Sequence, residues 1–261
     1  MASKVFQDQM GYKVSIDFPP KKIVSLVPSH TELLFHLGLQ DRICGVTKFC
    51  THPKELMKGV PKVGGTKDFK VDHIIKLQPD LVIANKEENE KTGILALKEK
   101  LPVWMSDIHD VEEALDMIEK VATVTATPDE GNKLIKEISS GLEVPITPQP
   151  LSVLYFIWQK PYMVAAGNTY IDAVLEKTGF VNVAKHLKRY PVLSDEEIRQ
   201  LNPDLIFLSS EPYPFKEKHK AAFQELAPSS KVVCVDGEIF SWYGARMRYI
   251  KGYVSELVES L

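Results

Sequence analysis

Asp72-His73-Ile74-Ile75-Lys76-Leu77-Gln78-Pro79-Asp80-Leu81-Val82-Ile83 returns, 124 positions later, as Glu196-Glu197-Ile198-Arg199-Gln200-Leu201-Asn202-Pro203-Asp204-Leu205-Ile206-Phe207. Ile74/Ile198, Leu77/Leu201, Pro79/Pro203, Asp80/Asp204 and Leu81/Leu205 are identical, and Asp72/Glu196, Gln78/Asn202 and Val82/Ile206 are conservative pairs. Proline excludes the α conformation from the residue before it, so each copy reads as a helix, a stop and a buried strand. Such a junction is common in α/β proteins, and the segment alone proves little. Its context adds weight, because a short apolar strand follows in both halves, Val103 to Asp107 and Val232 to Asp236. Two related lobes are the better reading.

Outward from this repeat, short apolar runs alternate with helical patterns, which argues for α/β architecture with mainly parallel sheets. Strands are expected at 22–27, 43–46, 80–84, 103–105, 151–157, 204–208 and 232–235, where continuous Val, Ile and Leu suit burial on both faces. Ser29 with Glu32, and Asp110 with Glu113, read as capping boxes. Leu33, Leu34 and Leu37 give the first helix its apolar face, and Gly38 ends it. Val111, Ala114, Leu115, Ile118 and Val121 form the face of a later helix. From Pro128 an acidic start opens a helix to about Leu142, followed by Pro145, Pro148 and Pro150, which cannot continue it. The expected organisation is a lobe at 1–127, a helical linker and connector at 128–150, and a lobe at 151–261. Both lobes are Rossmann-like and a single long helix joins them. Fifteen helical residues span roughly 22 Å, a stiff bridge that argues against large closure. The cleft between lobes, fed by loops at the carboxyl ends of the strands, is the expected binding place.

The 261 residues are 44% hydrophobic and 26% charged, which excludes a disordered tail or a collagenous repeat. Lys+Arg 32 against Asp+Glu 35 gives a net charge of −3, so no nucleic-acid partner is expected. No run approaches the roughly 20 apolar residues of a membrane span. The first ten residues lack the apolar stretch of a secretory signal. A cytoplasmic location follows if the sequence is complete, and an envelope one if a leader has been removed. Cys44, Cys50 and Cys234 make an odd and scattered set, mildly favouring a reducing compartment.

Ile23-Val24-Ser25-Leu26-Val27-Pro28-Ser29-His30-Thr31-Glu32-Leu33-Leu34, then Val63-Gly64-Gly65, then Leu77-Gln78-Pro79-Asp80-Leu81-Val82-Ile83-Ala84 closely resemble the helical-backbone metal-receptor family. Its members are substrate-binding proteins of ABC importers for cobalamin, ferric siderophores and haem. The sequence is most similar to the cobalamin-binding branch, from about Val14 to the carboxyl end. The resemblance implies the class III substrate-binding fold, two α/β lobes bridged by one long helix. It implies a binding protein rather than an enzyme, with no cofactor of its own and a corrinoid or iron chelate as ligand. In that family an acidic residue on each lobe docks onto arginines of the ABC permease. The matching positions are Asp72 and Glu196, Asp72 being shorter than the usual Glu. A monomer is expected.

A flat macrocyclic ligand needs aromatic faces with a few polar anchors at its edge. On the strand-end loops Phe49, Trp158, Tyr162, Tyr213, Trp242 and Tyr243 meet the first need. Lys48 and Arg246 could meet ligand carboxylates or phosphate, with His30 and Glu87 as further candidates. Cys50 and His52 are good ligand types for soft metals, but a Cys-x-His pair supplies only two. No Gly-x-Ser-x-Gly elbow, phosphate loop or dinucleotide fingerprint is present. An enzyme, or a protein for a bare metal, would have to use Cys50, His52 and the Glu87/Glu88 pair.

Overall fold

Every strand read from an apolar run is present in the computed structural model, which describes residues 2–143, 146, 147 and 149–261. The strands sort into two units. One unit holds the chain up to Ile108, then Glu112–Glu137 and Tyr243–Arg246; the other holds His109–Val111, Ile138–Trp242 and Met247–Leu261.

The first unit opens with an antiparallel hairpin of β1 (Ala2–Gln7) and β2 (Lys13–Phe18). β3 (Ile23–Ser25), α1 (Pro28–His36), β4 (Ile43–Val46), α2 (Val71–Leu77), β5 (Leu81–Asn85), α3 (Lys91–Lys98) and β6 (Val103–Ser106) follow. The four strands after the hairpin form a parallel sheet in the order β4-β3-β5-β6. All five residues of β5 are buried, as a central strand covered on both faces requires. Val24, Leu26, Ile74, Val82, Ile94 and Leu97 belong to one apolar cluster that joins the sheet to α2 and α3.

Helix α4 (Val111–Thr125) buries Val111, Ala114, Ile118 and Val121 as read, while Met117 takes a core place and Leu115 is half-buried. Helix α5 (Pro128–Gly141) carries the chain from the first unit into the second at Glu137–Ile138. The expected connector at 144–150 falls partly outside the described residues.

The second unit comprises β7 (Leu151–Trp158), β8 (Tyr162–Val164), α6 (Tyr170–Thr178), β9 (Phe180–Asn182), β10 (Val192–Leu193), α7 (Asp195–Leu201), β11 (Leu205–Ser209), α8 (Lys220–Leu226), β12 (Lys231–Val235), α9 (Gly237–Ser241) and α10 (Ile250–Glu259). Its sheet runs β10-β8-β7-β11-β12, with β9 also on β7. β9, β7, β11 and β12 are parallel, whereas β8 and β10 pair antiparallel. Leu154, Phe156, Ile198, Leu208 and Phe223 anchor its core.

The repeated segment builds the same junction twice. Helices α2 and α7 both end on a left-handed residue, Gln78 (φ 50°) and Asn202 (φ 38°). Proline follows, and then an aspartate that ties the neighbouring strand. Asp80 Oδ2 accepts the backbone N–H groups of Lys21 at 2.7 Å and Lys22 at 2.9 Å. Asp204 Oδ2 accepts the Ser152 N–H at 2.8 Å and the Ser152 hydroxyl at 2.6 Å. One residue further on, Leu81 faces Ile23 and Leu205 faces Val153, so each aspartate sets the register of a central strand pair.

One capping expectation is corrected. The residue before α1 is Val27, which offers no side-chain bond, and Pro28 takes the first helical position, where its missing N–H is harmless. Ser29 therefore lies inside the first turn, and Glu32 is engaged elsewhere. Gly38 (φ 74°) does follow the helix end, in the left-handed conformation that glycine tolerates.

Candidate functional site

In the first unit the carboxyl ends of β3, β5 and β6 carry a buried polar network. Asn85 accepts the Glu87 and Glu88 N–H groups on Oδ1 at 2.8 and 2.9 Å, shaping the loop after β5. Its amide donates to Ser106 Oγ at 2.9 Å, and that hydroxyl lies 3.1 Å from His30 Nε2. Asn89 accepts the Asn85 N–H and donates to the Leu26 and Thr66 carbonyls. The network holds three strand ends together from below the loops.

His30 is fully buried, and burial pushes its pKa down to about 3, so the ring is neutral. Its ring lies 5.5 Å from that of Tyr243, itself buried. Beside it, Arg246 makes a two-pronged pair with Glu32, Nε to Oε2 at 2.8 Å and Nη2 to Oε1 at 2.9 Å. These contacts place the segment Tyr243–Arg246 in the first unit, although it lies within the sequence range of the second lobe. Sequence reading missed Glu32 as a partner because its position three residues after Ser29 suggested a cap.

The loop after β4 separates the remaining candidates. Cys50 is buried, with Sγ 3.1 Å from both the Thr31 and Thr47 hydroxyls. Burial pushes its thiol pKa up, opposite to the shift that makes a nucleophilic thiolate. His52 is half-buried, and Glu87 gives its carbonyl to the Lys67 ammonium. Among the described residues no three His, Cys, Asp or Glu side chains form a group that could hold a metal ion. Phe49, by contrast, is 52% exposed, and Lys48 Nζ lies 5.1 Å from its ring centre.

In the second unit the last residue of β7, Trp158, meets Tyr213 from the loop after β11, rings 5.4 Å apart and edge to face. Trp158 is 40% exposed, and the Tyr213 hydroxyl donates to Gln159 Oε1 at 3.3 Å. Tyr162 instead turns into the core against Phe156 and Phe223. Trp242 is buried, its indole N–H donating to Glu211 Oε1 at 2.8 Å, where the Ser241 hydroxyl also donates at 2.6 Å. Burial pushes the Glu211 pKa up, with Glu238 and Asp236 adding repulsion against these hydrogen bonds. Nothing in the sequence singled out Glu211 beyond its place in a strand-end loop. Gly237 makes the packing possible, since a Cβ there would lie 2.3 Å from Ser209 Oγ and 2.7 Å from Glu211 Cγ.

Asp72 and Glu196 occupy the second position of α2 and α7, and both are exposed.

Two α/β units with parallel cores and functional groups on their strand-end loops define a binding scaffold. The chain belongs to the periplasmic binding protein family, whose model matches residues 23–230. It is 29% identical over 268 residues to the uncharacterized ABC transporter substrate-binding lipoprotein YvrC of Bacillus subtilis (strain 168), covering 97% of this chain and 84% of that protein. It is 29% identical over 197 residues to the vitamin B12-binding protein of Vibrio campbellii (strain ATCC BAA-1116), covering 73% of this chain and 71% of the relative. Among solved structures, the periplasmic heme-binding protein BhuT in complex with two hemes superposes with a TM-score of 0.78 at 25% identity, over 92% of this chain and 97% of that one.

Proposed function

We propose that this chain is the substrate-binding component of an ABC importer, with a macrocyclic metal chelate as its cargo: a corrinoid first, then haem or a ferric siderophore. The observation that carries the reading is an exposed aromatic face on the strand-end loops of each unit, Phe49 beside Lys48 in one and Trp158 against Tyr213 in the other. Stacking on such faces suits a flat conjugated ligand. Relatives that bind vitamin B12 and haem support the same chemical class. The chain acts as a carrier, without catalysis and without a cofactor of its own. The alternative set of Cys50, His52 and Glu87 draws no support from a buried thiol with a raised pKa.

Asp72 and Glu196 are the proposed contacts to permease arginines. Each lies in the first turn of its helix, where the dipole favours a carboxylate, and each precedes the same Pro-Asp junction. An envelope location completes the proposal, in line with the lipoprotein relative.

Titration with hydroxocobalamin, haemin and a ferric siderophore, followed by visible absorbance and calorimetry, tests the reading. Micromolar or tighter binding of one chelate supports it. Failure of all three, with stoichiometric zinc or iron in the purified protein, replaces it with bare-metal binding.

A further inference from the structure

The first unit contains a concavity that the chelate reading does not use. A groove of about 680 Å³ runs between the β1–β2 hairpin, helix α3 and the start of β6. That volume falls within the range of small-molecule sites. Several hydrogen bonds fix the hairpin wall, among them the Gln9 N–H donating to the Met105 carbonyl at 3.0 Å, Gln9 Nε2 donating to Asp116 Oδ2 at 2.8 Å, and the Asp107 N–H donating to Gln9 Oε1 at 3.2 Å.

The floor is apolar and closed, with Val14, Ile94, Val103 and Met105 all buried. The upper walls are apolar and open: Tyr12 is 56% and Leu95 53% exposed. Lys13, Lys86, Lys91, Lys98 and Lys100 line the rim, and among the described residues no Asp or Glu lines the groove. This stands out in a chain whose acids outnumber its bases, 35 to 32. Lys91, Leu95 and Lys98 recur at helical spacing, so α3 turns one mixed basic and apolar face into the groove. Lys98 sits over the Tyr12 ring at 4.3 Å, joining the two walls, and Lys86 is drawn off to Asp107 at 2.5 Å. Among the described residues, Lys13, Lys91 and Lys100 have no carboxylate partner.

We propose that this groove binds a single amphiphilic anion, an apolar chain with a carboxylate or similar head. The chain replaces water on the closed floor and against Leu95 and Tyr12. The head meets ammonium groups that lack counter-charges. The concave floor favours one free molecule over a lipid surface, which would need a projecting apolar face.

The test is titration of the full chain with dodecanoate, read by calorimetry and by amide shifts in the hairpin and α3. One-to-one saturable binding is expected, at least tenfold tighter than for dodecanol. Lys91→Glu/Lys98→Glu and Leu95→Asp lie on exposed or half-exposed positions and should keep the melting temperature while each weakening dodecanoate at least tenfold. Equal affinity for dodecanol, or affinity unchanged in both variants, overturns the proposal. So does binding to phosphatidylglycerol vesicles without saturable binding of dodecanoate. Cobalamin or haem affinity should be the same in both variants, so the two readings stand or fall separately.

Discussion

The guanidinium of Arg246 and the carboxylate of Glu32 meet in two parallel hydrogen bonds across 214 positions of sequence. Both side chains are largely covered, 11% and 14% exposed. The pair closes the Tyr243–Arg246 segment onto α1 and occupies the fork that sequence reading offered to a ligand. Removing one partner leaves the other charge poorly solvated. Glu32→Gln and Arg246→Gln should each destabilise the protein by about 2–3 kcal/mol, less than a fully buried pair because some water reaches both groups. Arg246→Lys should rescue little, since an ammonium cannot make the two-pronged contact. Urea unfolding of the three variants checks this.

His30 gives the protein an acid-sensitive element. Its folded pKa lies near 3, below the ordinary histidine value, so the native ring stays neutral while an unfolded chain takes up a proton below about pH 6.5. Stability from this group is complete above pH 6.5 and falls by about 1.4 kcal/mol per unit as pH drops towards 3. His30→Gln should flatten that limb of a stability–pH curve measured between pH 7 and 4.5, whatever its effect at pH 7.

Glu211 acts in the other direction. Its raised pKa means that the native state keeps a proton the unfolded state gives up, so stability falls as pH climbs through the carboxylate range and stays reduced above it. Gln copies the protonated form and still accepts from Trp242 and Ser241. Glu211→Gln should melt about 1–3 °C higher at pH 8, with the gap closing near pH 4. Trp242 fluorescence reports whether the indole keeps its place.

Trp158→Ala and Phe49→Ala should each weaken chelate binding by about tenfold, the loss of one aromatic contact, with little change in stability because both rings are substantially exposed. Tyr162→Ala should do the reverse, losing stability through its packing on Phe156 and Phe223 and leaving affinity nearly unchanged. Parallel calorimetry and thermal melts separate the two patterns.

The parallel cores were legible because a strand buried on both faces must be apolar throughout, as β5 and β11 are. Their junctions were legible because Pro79 and Pro203 forbid helix in the residue before them. The hairpin escaped notice, although Lys13-Val14-Ser15-Ile16-Asp17 alternates with Val14 and Ile16 inward. Its signal is that of a half-buried strand, not of a continuous apolar run. β8 and β10 are three and two residues long, too short to show any period. At the site, residue types were readable but directions were not. Whether Tyr162 faces solvent or Phe223, or whether Arg246 is open or held by Glu32, depends on contacts between distant segments that local pattern does not encode.

The twin left-handed helix ends offer an engineering handle that is not symmetric. A side chain at such a φ carries about 1–2 kcal/mol of backbone strain that glycine lacks. Gln78 is exposed, so Gln78→Gly should raise thermal tolerance. Asn202, the milder offender, accepts the Ser229 hydroxyl at 2.6 Å, and the same change there would cut a tether between the α7–β11 turn and the turn leading into β12. Two copies of one joint have come to differ in which residue each can lose.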